Sequence, residues 1–225
     1  MHAVSQGSPT VLGPGIQVMA LLRSAGIAHF DVVAIGASAG GVEALHGLVS
    51  NLPAGFPAAV LIVQHLDPRH KSVLAFLLGR HAALAVEQAA HDEIIRPGTV
   101  YVAPPDMHLL VANGRLELSH SKLVHFTRPS VDLLFESVAG AYGDRSIGVI
   151  LTGSGVDGAT GIKAIKRLGG TTIVQEPKQA AHAGMPRAAC ATGCVDYRLP
   201  LEEIAPAIVH LVGPPAASAA RVLHE

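Results

Sequence analysis

Ser38, His65 and Asp157 are the residues of this 225-residue chain whose types suit nucleophilic acyl transfer. A serine hydroxyl is a weak nucleophile at neutral pH. It needs an imidazole to take its proton, and the imidazole needs a carboxylate to fix its tautomer and stabilise its charged form. The stretch Gly36-x-Ser38-x-Gly40 matches a turn in which flanking glycines let the chain pass sharply from strand to helix with the hydroxyl presented. The order Ser, His, Asp along the chain differs from the Ser, Asp, His order of α/β-hydrolases, which disfavours that fold. Each residue also has a plainer reading. Ser38 suits the cap of the helix after it, Asp157 suits the start of its own helix, and His65 is one of 13 histidines.

The elements around these residues give them a common address. Continuously apolar runs at Val32–Ile35, Ala59–Val63, Ile147–Leu151 and Thr171–Val174 read as central strands covered on both faces. Helical spacing fills Gly41–Leu52, Lys71–His81, Ser130–Ala141, Ala159–Leu168 and Leu201–Leu211. This alternation predicts an α/β fold: a doubly wound, mostly parallel sheet with helices on both faces. One segment breaks the rhythm, because Thr99–Ala103, His108–Ala112 and Arg115–Ser119 read as β structure, with Asn113-Gly114 as a two-residue turn. That predicts an inserted antiparallel hairpin. In such a fold functional groups collect past the carboxyl ends of parallel strands. Ser38, His65 and Asp157 each follow a different strand, so the fold brings them to one edge.

Composition bounds the rest. Apolar residues make up 49% and charged residues 15%, with a formal net charge of -1, so the chain reads as a well-buried globular domain without general attraction to nucleic acid. No apolar run reaches membrane-spanning length and the start lacks the pattern of a secretory signal, so a cytoplasmic protein without membrane insertion is expected. Cys190 and Cys194 lie in an Ala-rich segment and fit reduced, buried, small apolar residues better than a disulfide framework. Residues 1–29 read as an extension or linker, 30–212 as one catalytic domain and 213–225 as a flexible tail.

A rival motif occupies the loop that holds Asp157. Gly153-x-Gly155-x-x-Gly158 is a literal dinucleotide fingerprint, and Glu176 closes the next strand where a ribose-binding acid would sit. Against an oxidoreductase, Asp157 places a carboxylate where a pyrophosphate would lie. Fewer than 70 residues then remain to complete the cofactor-binding half.

The segments "VAIGASAGG", "VQHLDPRHKS", "IIRPGTVYVAPPDMHLLV", "RPSVDLLFESVA", "GVILTGSGVDGATGIKAIKRLGG" and "GMPRAACATGCVDYRLP" together resemble the catalytic domain of the chemotaxis protein-glutamate methylesterases, the CheB family. The resemblance runs from about Asp31 to Val212. It implies hydrolysis of γ-glutamyl methyl esters on chemoreceptor-type helices, with deamidation of receptor glutamines in some members. It implies a catalytic Ser38, His65 and Asp157, with no cofactor and no metal. Backbone N–H groups at Ala39, Ser154 and Gly155 are the expected oxyanion donors, and Arg128 and Met185 are candidate walls of the substrate pocket. The roughly 30 residues before Val32 are too few for the receiver domain usual in this family. The expected partners are therefore methylated receptor helices and a separate regulator or receiver protein, whether the chain stands alone or is a fragment. "HLDPRHKS" resembles the variant of this loop found in members fused to methyltransferase or sensor modules, and Ser154 stands where the family often has Met. A receptor-binding module of the same fold without turnover is the alternative.

Overall fold

The computed structural model describes residues 30–66 and 72–213. The expected N-terminal extension, the Asp67–Lys71 part of the "HLDPRHKS" loop and the tail beyond Gly213 lie outside the described residues.

Seven parallel strands form the central sheet. They are β1 (Val32–Ala37), β2 (Ala59–Gln64), β3 (Ala85–Gln88), β4 (Thr99–Val102), β7 (Ser146–Ile150), β8 (Thr171–Gln175) and β9 (Tyr197–Leu199), in the order β3-β4-β2-β1-β7-β8-β9. The four apolar runs read from the sequence are β1, β2, β7 and β8, and all are buried along their length. Their side chains alternate between two faces. Val33 and Ile35 point into one core with Leu45, Leu48, Ile204 and Ile208, whereas Val32 and Ala34 point into the other with Leu134, Phe135, Ile162 and Met185. The first core is covered by α1 (Gly41–Ser50), α2 (Leu74–Gly79) and α6 (Leu201–Val212); the second by α3 (Val131–Tyr142), α4 (Ala159–Arg167) and α5 (Gly184–Ala191). Among the described residues, no helix is long and apolar enough to cross a membrane.

The expected hairpin is present as β5 (His108–Ala112) and β6 (Arg115–Ser119), with positive φ at both turn residues, 51° at Asn113 and 72° at Gly114. A two-residue turn of this hand requires that at both positions. The hairpin forms its own two-stranded sheet. It is held to the second core by Leu109, Val111 and Leu116 and by the Val111 N–H donating to Ser137 Oγ at 3.1 Å.

His108 ties the hairpin to the segment leading into α3. The Ser130 N–H donates to Nδ1 at 3.1 Å and Nε2–H donates to the Lys122 carbonyl at 3.1 Å, which fixes a neutral ring in one tautomer. Burial pushes His108 below its ordinary value of 6.5, against the opposing pull of the Lys122 carbonyl. The folded state therefore favours the neutral ring. Its contribution to stability is full above about pH 6.5 and declines as pH falls below that. Thermal unfolding followed from about pH 8 to about pH 5 should show a steeper loss of Tm in the parent protein than in His108→Gln; equal slopes would contradict this.

Candidate active site

The last registered pair of β1 and β2 is Ala37 with Gln64. Ser38 and His65 are thus the next residues on adjacent strands, whose spacing is about 4.8 Å. Backbone bonds continue past the strand ends, with His65 N–H donating to Ala37 O at 3.1 Å and Ser38 N–H donating to Thr152 O at 3.0 Å. Gln64 adds a clamp. Its Nε2 donates to the carbonyls of both Ser38, at 2.8 Å, and His65, at 3.0 Å, so one amide group sets the spacing of the two backbones. The turn then closes through left-handed Gly40, φ 73°, and α1 begins at Gly41 without a side-chain cap. Ser38 is therefore not the helix cap that its type suggests. Among the described residues its Oγ has no hydrogen-bond partner, the imidazole included. Serine–histidine bonds in unliganded sites are often long and tighten when substrate arrives.

Behind His65 the carboxylate is in place. His65 Nε2–H donates to Asp157 Oδ2 at 2.8 Å, which leaves the Nδ1 lone pair as the proton acceptor of a neutral ring. Asp157 is 2% exposed and also accepts from Val131 N–H at 2.8 Å, Asp132 N–H at 3.0 Å, Ser130 Oγ at 2.9 Å and Thr127 Oγ1 at 3.3 Å. Burial alone would raise this carboxyl. The bonds from His65 and from the Asp132 and Val131 amides outweigh it and hold Asp157 below the usual 3.8. The reading of Asp157 as the start of its own helix is corrected here. The N-cap of α4 is Gly158, at φ 97°, while the Asp157 side chain crosses to the N-terminus of α3, where two free amides and the helix dipole favour a negative charge.

The Asp157 loop also passes Ser38. Ser154, Gly155 and Val156 are exposed, and Met185 N–H donates to Gly153 O at 2.8 Å. Among the described residues, the N–H groups of Ala39, Gly40, Ser154 and Gly155 have no acceptor. Met185 is 1% exposed and backs this loop. A Cβ at Gly153 would lie 2.2 Å from Met185 Sδ and 2.9 Å from Ser38 Cβ. Gly153→Ala is therefore expected to push the serine turn out of place and lower esterase kcat by about 10²-fold, because ångström shifts at reacting groups cost that much. Steady-state kinetics with an activated ester check it, and parent-like kcat would contradict it.

Arg128 is engaged by groups of its own fold. Its Nε and Nη2 donate to Asp106 Oδ1 at 2.9 and 2.6 Å and Nη1 donates to Ser121 O at 2.7 Å, so the guanidinium braces the segment between the hairpin and α3. That segment carries Leu123 and Phe126, the latter 96% exposed, and its Thr127 touches Asp157. Glu176 pairs with Arg198 at 3.0 Å, and Cys190 and Cys194 are free thiols. His125, Asp132 and Asp157 offer ligand atoms within 4.8 Å of one another, yet Asp157 already accepts from protein donors on each oxygen and Asp132 accepts two amides at Oδ1. The roles of Gln64, Thr127 and Ser130 were not legible beforehand. Only the Ser at the head of "RPSVD" carried a local signal, that of a helix cap, which it also is, accepting from Leu133 N–H.

Residues 33–208 match the family model of the CheB methylesterase. The chain belongs to the CheB methylesterase family. It is 46% identical over 187 residues to a protein-glutamate methylesterase/protein-glutamine glutaminase of Moorella thermoacetica, covering 81% of this chain and 44% of that protein. A putative protein-glutamate methylesterase/protein-glutamine glutaminase of Leptospira interrogans is 41% identical over 184 residues, covering 81% of this chain and 95% of its own length. The methylesterase FrzG of Myxococcus xanthus is 42% identical, and the chain spans 55% of it. Several of these curated relatives are thus about twice as long as the matched region. The crystal structure of the Thermotoga maritima CheB methylesterase catalytic domain superposes with a TM-score of 0.78 at 37% identity, over 81% of this chain and 99% of that one. The parallel sheet with its separate hairpin is the CheB catalytic-domain fold.

Proposed function

We propose that this chain is a protein-glutamate methylesterase in which Ser38 is the nucleophile, His65 the general base and Asp157 the carboxylate that orients it. The observation that carries this reading is the buried His65–Asp157 bond of 2.8 Å, one residue beyond the strand pair that also ends at Ser38. Ser38 Oγ attacks the γ-carbonyl of a glutamyl methyl ester while Nδ1 of His65 takes its proton. The negative oxygen of the tetrahedral intermediate is met by the N–H groups at Ala39, with Ser154 and Gly155 opposite. The imidazolium returns its proton to the departing methoxide, and methanol leaves an acyl-Ser38. Water, deprotonated by His65, then attacks this ester; the carbonyl–Oγ bond breaks, and Ser38 regains its proton as a receptor glutamate is released. The same acyl chemistry on a glutamine side chain expels ammonia, which accounts for deamidation as a second activity.

The substrate is a methylated helix of a chemoreceptor or related receptor, reached from the cytoplasmic side. The exposed Phe126 and Leu123, in the segment whose Thr127 touches Asp157, and the exposed Val156 beside Asp157 suit an apolar stripe on such a helix. A separate receiver protein is the proposed regulator, and chemotaxis-type signal transduction the setting. The direct test is methanol release from a receptor fragment carrying glutamyl methyl esters, together with phosphonate labelling of Ser38. Labelling without release would identify a serine esterase with another substrate. Neither would leave a receptor-binding module without turnover.

A further inference from the structure

Beside Asp157 lies a second buried carboxylate that the reaction described above does not use. Asp132 is the second residue of α3 and 3% exposed. The two aspartates exchange helices. Asp157, which precedes α4, accepts the Val131 and Asp132 amides at the N-terminus of α3; Asp132, on α3, accepts at Oδ1 from the Gly158 amide at 2.9 Å and the Gly161 amide at 2.7 Å at the N-terminus of α4. Asp132 thereby holds the peptide immediately after Asp157 while its own N–H holds the Asp157 side chain. The close approach depends on Gly161, where a Cβ would fall 2.5 Å from Phe135 Cβ.

We infer that Asp132 is a positioning residue for the Ser38–His65–Asp157 site, fixing the Asp157 carboxylate through the exchanged caps and adding a second negative charge behind the imidazole. This rests on the esterase reading. The charged groups around Asp132 are Asp157, His125, whose Nε2 lies 3.1 Å from Oδ2, and Glu136 on the same helix. Burial raises the Asp132 carboxyl, its two amide partners lower it, and the neighbouring Asp157 raises it again. Its half-exposed partner His125 lies on the solvent side, so the charge of Asp132 acts mainly inward, on the imidazolium formed during acyl transfer.

Asp132→Asn keeps an oxygen for the Gly158 and Gly161 amides and removes the charge. In this variant the acid limb of kcat/KM is expected to move to lower pH by about half a unit or more, since a lost anion makes the general base harder to protonate. The plateau of kcat is expected to fall about tenfold while KM stays near the parent value. A merely structural role would lower thermal stability and leave the limb where it is. An unmoved limb with parent kcat overturns the inference. Should the Asn variant fail to fold, Asp132→Glu decides: with charge kept and reach altered, the limb is expected to stay and kcat to drop, and full kcat overturns the inference. Failure of the underlying reading is separate, since it would appear as full activity in Ser38→Ala.

Discussion

Ser38→Ala is expected to lower methanol release from a methylated receptor fragment by about 10⁴-fold or more, with thermal unfolding unchanged. Both halves follow from the site. The hydroxyl makes no hydrogen bond to another described residue, so its removal orphans no buried donor and opens no cavity. The bonds that shape the turn come from the backbone of Ser38, at N–H to Thr152 and at O from Gln64 and Gly41, and alanine keeps all of them. The chemistry, by contrast, has no substitute. Gas-chromatographic methanol measurement beside a melting curve checks the pair of outcomes. Activity retained in the alanine variant would remove Ser38 from the reaction, and a large loss of stability would mean that the hydroxyl has a packing role not visible in its contacts.

Asp157→Ala is expected to differ by failing on both counts. Loss of the carboxylate leaves the Val131 and Asp132 amides, Ser130 Oγ and the His65 ring without their acceptor in a site that is 2% exposed. Buried donors left unmet cost about 1–3 kcal/mol each, and water entering the vacated space recovers part of that, so a loss of about 3 kcal/mol or more is expected. For a domain of this size that is roughly 10 °C in Tm. Activity should fall by about 10⁴-fold, because the imidazole loses both its fixed tautomer and its counter-charge. Asp157→Asn separates the two effects. Its oxygen can still accept from an α3 amide, so stability returns in part, but its NH₂ group cannot support an imidazolium and activity stays low. Since Asp157 is held below 3.8, its contribution to stability is complete above about pH 4 and is lost as pH falls further, so stability should fall more steeply below about pH 4 in the parent than in the Asn variant, which has no such carboxylate to protonate. An Asn variant with parent-like turnover would contradict the assigned role.

What was legible in the sequence follows the physics of each element. Strands β1, β2, β7 and β8 are buried on both faces and so read as unbroken apolar runs. The edge strands left no such trace. In β3 the side chains are mostly exposed, and β9 has three residues, too few for any period to register. Helix α5 was not among the helices read from the sequence because its short Ala-rich stretch shows no clear apolar period, although Gly184-Met185-Pro186 fits a helix start, where a proline gives up an amide that has no intrahelical partner. The edge that gathers Ser38, His65 and Asp157 was predictable from the parallel sheet alone, since each residue follows a different strand. Where Asp157 points was not, since its partners are amides of a helix about 25 residues upstream, brought beside it by α3–α4 packing that no local pattern encodes. For Arg128 the loop signal of its Pro neighbour was visible, but the Asp106 that engages its guanidinium was not.

Strand β1 lies between β2 and β7 in the sheet, and that placement governs how the chain must be made. On a ribosome, β1 and β2 emerge early and can pair, but the other edge of β1 stays open until Ser146–Ile150 has been synthesised. For most of that interval the nascent chain carries an unpaired, wholly apolar strand edge, the kind of surface that recruits other chains. On the proposed assignment the nucleophile follows that strand and its carboxylate arrives with the later segment, 92 residues beyond His65. No early fragment can therefore hydrolyse anything, and recovery of esterase activity during refolding would report the last long-range step of assembly and not the first collapse.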